Sequence, residues 1–132
     1  NDSLSDLLSY TRSYAVEYFS QHGIQCQIIT PDDFPAILVS GEFRRNIYLI
    51  VKEVLHNIVK HSQATLVKII IETDNKLMVT IQDNGIGFKS GNTRPFSNGL
   101  INIKKRMTDI GGTVQIDSEK GTTICLKVPL TV

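Results

Sequence analysis

Glu53, Asn57 and Lys60 recur at i, i+4 and i+7 within a helix-patterned stretch, and about one hairpin later stands Asp83-Asn84-Gly85-Ile86-Gly87-Phe88, the only acidic glycine loop of the chain. At about 100° per residue the first three form one stripe beside an apolar face made by Ile47, Ile50, Val51, Val54 and Ile58. Their tips would line a groove edge. A carboxylate, an amide oxygen and an ammonium in one row suit a hydrated magnesium ion carrying a polyphosphate, because Mg²⁺ takes few protein oxygens and fills its shell with water and phosphate. The plainer alternative is a solvated Glu-to-Lys helix face. In the second motif, a carboxylate ending a strand can accept a hydrogen bond from an exocyclic amine such as that of adenine, while glycines let a flat ring approach the backbone. Its plainer alternative is an ordinary Asx turn.

These groups need elements to hold them. Residues 42–62 read as a helix packed through its apolar face, and residues 77–82 as a strand that Asp83 ends. Residues 66–73 make a second strand, joined to the first around Asp74-Asn75-Lys76 as a hairpin. Ahead of them, Leu4, Leu7, Leu8, Thr11, Tyr14, Ala15 and Tyr18 fit an amphipathic helix that Gly23 stops. A half-buried strand over 24–29 follows, then a short strand near 36–39. Residues 84–98 hold Gly85, Gly87, Gly91 and Pro95 without periodicity and read as a long lid-like loop. From Gly99 a helix carries Leu100, Ile103, Met107 and Ile110 to a stop at Gly111-Gly112, and strands over 113–116 and 122–128 close the chain. The order predicts an α+β fold, a two-layer sandwich in which about three helices cover one face of a mixed sheet.

The 132 residues fit one domain spanning 1–132, large enough for a core without metal or disulfide support. With 41% hydrophobic and 20% charged residues and a net charge of +1, nothing favours nucleic acid or direct membrane contact. The densest basic run, Lys104-Lys105-Arg106, reads as a solvated helix face with a possible phosphate role. Cys26 and Cys125 lie in apolar strands and read as free buried thiols, which suits a reducing, cytoplasmic location. The start at Asn1 instead of methionine points to a piece of a longer parent, which could itself be membrane-anchored.

Four blocks now stand in a fixed order. They are residues 52–62 with Glu53, Asn57 and Lys60-His61-Ser62; residues 83–88; Asn98-Gly99-Leu100 with its helix through Arg106 and Met107; and Gly121-Thr122-Thr123-Ile124. In that order they resemble the N box, the first and second glycine boxes and the closing box of the ATP-binding catalytic domain of bacterial two-component sensor histidine kinases. That domain belongs to the Bergerat (GHKL) superfamily, and the resemblance is nearest to the nitrate and desaturase sensor kinases.

The resemblance implies a Bergerat ATP-binding fold that binds ATP and Mg²⁺ and transfers the γ-phosphate to a histidine. It implies Asp83 at the adenine amine, Asn57 on magnesium, Glu53 as the catalytic residue on a metal-bound water or the acceptor, and Lys60 at phosphate. Gly85 and Gly87 would open the base pocket, residues 84–98 would form the ATP lid, Gly99-Leu100 would offer backbone amides to phosphate, and Thr123 would lie by the adenine. Ser97 departs from the family's usual first glycine of the second box. None of His22, His56 or His61 sits in the acidic, arginine-flanked context of the family's phosphoacceptor histidine. The acceptor is therefore expected on a dimerisation domain absent from this chain, with a response regulator downstream. The alternatives are a free-standing serine kinase of the anti-sigma type and a non-catalytic nucleotide sensor.

Overall fold

A computed structural model describes residues 3–86, 94–118 and 120–130. Helix α1 (Leu4–Gln21) starts at Ser3, whose hydroxyl accepts from the Asp6 N–H at 3.1 Å, and stops at His22 and Gly23, which adopts a positive φ. Strand β1 (Gln25–Ile29) is followed by α2 (Gly41–Asn57), capped in the same way by Ser40. Hairpin strands β2 (Leu66–Thr73) and β3 (Lys76–Asp83) come next, then α3 (Arg94–Asp109), β4 (Thr113–Asp117) and β5 (Thr122–Pro129). The sheet order is β1-β2-β3-β5-β4; β1 and β2 are parallel, bridged by the α2 crossover, and all other pairs are antiparallel.

Alternation along the strands decides which face is covered. Val67, Ile69 and Ile71 of β2, Leu77, Val79 and Ile81 of β3, and Ile124, Leu126 and Val128 of β5 all turn inward. They meet Leu4, Leu8 and Phe19 of α1, Ile47, Ile50 and Val54 of α2, and Ile103 and Met107 of α3 in one core. The expected architecture of three helices on one face of a mixed sheet is what the chain forms.

Three local expectations change. Residues 36–39 form no strand: a single bridge joins Ser3 to Leu38, whose side chain is 79% exposed, and Pro35 just before removes a backbone donor. The helix over 42–62 is α-helical only to Asn57 and continues as a π-helical turn, Ile58–Ser62, closed by Gln63 in the left-handed region. Helix α3 starts at Arg94, five residues before Gly99. Pro95 accounts for the early start, since a proline in the first turn supplies a helical φ and lacks an N–H that would go unpaired there.

Candidate functional site

Asp83 is the last residue of β3, paired with Val67 of β2 on one side and Thr122 of β5 on the other. Strand parity turns its side chain to the helix-covered face, where it is 3% exposed. The Gly85 N–H donates to its Oδ1 at 2.8 Å, and the Thr122 N–H also donates to it. Burial raises its carboxyl above the ordinary 3.8, and these two backbone donors pull it back down. The result is a buried hydrogen-bond acceptor fixed in direction by the backbone.

The loop after Asp83 is pinned rather than free. Asn84 Oδ1 accepts from the N–H groups of Thr65 (2.9 Å) and Leu66 (3.1 Å), and its Nδ2 donates to Thr65 Oγ1 at 3.0 Å. The Asn84 N–H donates to the Leu66 carbonyl at 3.2 Å, and the Ile86 N–H to the Ser62 carbonyl at 2.8 Å. Gly85 lies directly against that Ser62 carbonyl, so a Cβ there would collide with it. The close approach that calls for this glycine is therefore made by the chain's own π-helical turn. Gly87 and the rest of 87–93 lie outside the described residues; of the expected lid, 84–98, the last five residues already belong to α3.

The other end of the site lies on α2. Asn57 is 5% exposed, and its Nδ2 is, among the described residues, the one buried side-chain polar atom with no hydrogen-bond partner. Such an atom is where an ordered water, an ion or a ligand would find a partner. Glu53, one turn earlier, is half-buried. Gly99 of α3 closes over both: a Cβ there would stand 2.7 Å from Asn57 Nδ2 and 3.2 Å from Glu53 Oε2. The structure thus brings Glu53, Asn57 and Gly99 together, while Leu100 packs partly buried against the core.

Gly99 and Leu100 do not start the helix. They are its sixth and seventh residues, past the first turn, where N–H groups are spent inside the helix, so they offer no free amides. Lys60 is exposed on the π-helical turn, beyond the α-helical part that carries Glu53 and Asn57. Thr123 lies on the face of the sheet opposite to the Asp83 side chain. It pairs with Gln82 and Asp117 on the uncovered side, and Thr122, 5% exposed, takes the place opposite Asp83. Parity alone could have found it, because Asp83 and Ile124 must both face inward. Asn84 and Ser62 carry no such signal, since their partners are distant in sequence.

A polar cleft of about 200 Å³ between α2 and α3 adjoins Glu53 and is lined also by Lys52, His56, Asn102 and Arg106. Arg106 donates to Asn46 Oδ1 at 3.2 Å, tying the two helices together, while Lys104 and Lys105 stay exposed. His56 is half-buried: its ring stacks on Tyr18 at 4.8 Å and its Nε2 lies 3.3 Å from the Tyr14 hydroxyl. Burial first, then Lys52, lowers its pKa from 6.5 against the opposing pull of Glu53, while its contacts with Tyr14 and Tyr18 join α1 to α2.

Comparison with known proteins bears on this geometry. Residues 43–132 match the family described as histidine kinase-, DNA gyrase B-, and HSP90-like ATPase. The oxygen sensor histidine kinase NreB of Staphylococcus carnosus is 32% identical over 91% of this chain and 35% of its own length. The sensor histidine kinase LiaS of Bacillus subtilis is 36% identical over 74% of this chain and 28% of its own. The chain therefore spans about a third of the length of these curated relatives. The histidine kinase domain of the Erythrobacter litoralis EL346 blue-light activated histidine kinase superposes with a TM-score of 0.77 at 19% identity, covering 98% of this chain and 64% of that one. The Acinetobacter baumannii histidine kinase AdeS gives 0.74 at 16% identity, with 98% and 66% covered. At those identities the likeness is one of fold. Among the described residues no helix is long and apolar enough to cross a membrane.

Proposed function

Because the chain belongs to the histidine kinase-, DNA gyrase B-, and HSP90-like ATPase family, as an ATP-binding catalytic domain of the sensor histidine kinase kind, we propose that it holds Mg-ATP between Asp83 and Asn57 and presents the γ-phosphate to a histidine on another domain. The observation that carries this reading is the pairing of a buried, backbone-fixed carboxylate at one end with a buried, unpartnered amide at the other. The first suits an exocyclic amine, the second the metal and phosphate end.

The ends of an amide are assigned from their surroundings, so Asn57 can turn its oxygen toward a cation. Asn57 would hold Mg²⁺, which when bound neutralises polyphosphate charge. Glu53, one turn away, is placed to orient a water or the acceptor group. Positioning and charge neutralisation are most of what phosphoryl transfer asks of a protein. Gly99 lets α3 approach this end. The acceptor histidine would sit on a dimerisation domain, with a response regulator receiving the phosphoryl group, in the cytoplasm.

Thermal melting with and without Mg-ATP tests the reading. At a ligand concentration one hundred times Kd, stabilisation should reach about 2.7 kcal/mol, a rise of several degrees in Tm; an unchanged Tm at millimolar Mg-ATP would refute it. Asn57→Ala is expected to make the remaining shift the same with magnesium as with EDTA. Without nucleotide its Tm should change little, because Nδ2 has no hydrogen bond to lose. A magnesium dependence equal to the parent's would take the metal away from Asn57.

A further inference from the structure

We propose that Asn84 is a positioning residue that holds the strand end whose backbone donors fix the Asp83 carboxylate, and so sets the preference for adenine over guanine nucleotides. The inference rests on the reading of Asp83 as the base-binding group. Asn84 is more exposed than a packing residue would be, yet its side chain makes three hydrogen bonds and its backbone a fourth, all to Thr65 and Leu66. The Asn84 amide occupies the rung that would follow the Val67–Asp83 pair, extending the β2–β3 ladder by one step with side-chain atoms.

Asp83 is thereby clamped from three directions. β5 holds it through Thr122, its own loop through Gly85, and β2 through Asn84 on the adjoining peptide. Adenine presents a donor at the exocyclic position where guanine presents a carbonyl acceptor. A carboxylate locked in one direction rewards the donor and is repelled by the acceptor, whereas one free to swing can withdraw from the mismatch. Selectivity therefore depends on how firmly the strand end is held, and among the described residues Asn84 contributes more side-chain hydrogen bonds there than any other.

The test is ATP and GTP affinity, measured by titration below the melting transition, for the parent, Asn84→Ala, Asn84→Asp and Thr65→Val. In Asn84→Ala the ATP-over-GTP ratio should fall about tenfold, the effect of roughly 1.4 kcal/mol. Asn84→Asp keeps an oxygen for both N–H groups and can accept from the Thr65 hydroxyl, so its ratio should stay within about threefold of the parent. Thr65→Val removes one of the three side-chain bonds and should fall between. A purely structural Asn84 would lower Tm and leave the ratio unchanged in Asn84→Ala, and that result overturns the proposal. Should Asn84→Ala not fold, an unchanged ratio in Thr65→Val overturns it equally. Absence of ATP binding in the parent would instead remove the base-binding reading, a separate outcome seen before any variant is made.

Discussion

Asp83→Asn is expected to cut ATP affinity by about a hundredfold or more while leaving the protein folded. An amide has one acceptor oxygen where the carboxylate has two. In this site the Gly85 N–H, at 2.8 Å, and the Thr122 N–H already claim acceptors. The amide oxygen will stay with those buried backbone donors, because leaving either unpaired costs about 1–3 kcal/mol. Its NH₂ then faces the adenine amine, donor against donor. Loss of the charge-assisted bond together with that mismatch amounts to roughly 3 kcal/mol or more, or at least a hundredfold. Without nucleotide, the weaker backbone bonds are offset by removal of a charge that burial disfavours, as the raised pKa shows. Isothermal titration and melting curves on the same sample separate the two effects. Retained ATP affinity with an unchanged Tm would show that the base does not bind at Asp83.

Gly85→Ala should instead destabilise the empty protein. The new methyl group would be driven into the Ser62 carbonyl, with the Ser62 carbonyl carbon 2.7 Å away, and neither side can yield as a flexible side chain would. Relief requires breaking the Ile86-to-Ser62 hydrogen bond or lifting the loop away from Thr65 and Leu66. Overpacking of this kind costs about 1–3 kcal/mol, so Tm should fall by roughly 5–15 °C. Nucleotide affinity should fall as well, because Asp83 loses the Gly85 N–H. A variant that melts like the parent but binds ATP poorly would show that Gly85 serves the ligand and not the packing.

Much of this was legible in the chain before folding. The i, i+3, i+4 pattern of Ile47, Ile50, Val51 and Val54 and the alternation over 66–73 and 77–83 gave the helix face and the sheet face, since each reports one element's contact with one core. Glu53 and Asn57 could be placed together because four residues is one α-helical turn. Thr123, implied by the resemblance, faces the uncovered side, because Thr122 and Ile124 share the inward parity of β5 and the register with β3 sets Thr122 opposite Asp83. Gly99-Leu100 lies inside α3, which begins at Arg94, and Lys60 lies on the π-helical turn beyond the α-helical part that carries Glu53 and Asn57.

The residue types of the site and the order of its blocks were therefore determined by sequence alone, because hydrophobic period and motif spacing are local properties that survive without neighbours. Tertiary structure decided what each residue faces. Gly85 meets Ser62, 23 residues earlier in the chain; Asn84 meets Thr65; Gly99 meets Glu53 and Asn57; and Thr122 meets Asp83 across two strands. Each of these contacts depends on register and close backbone approach between segments far apart in the chain, and no local pattern encodes that distance.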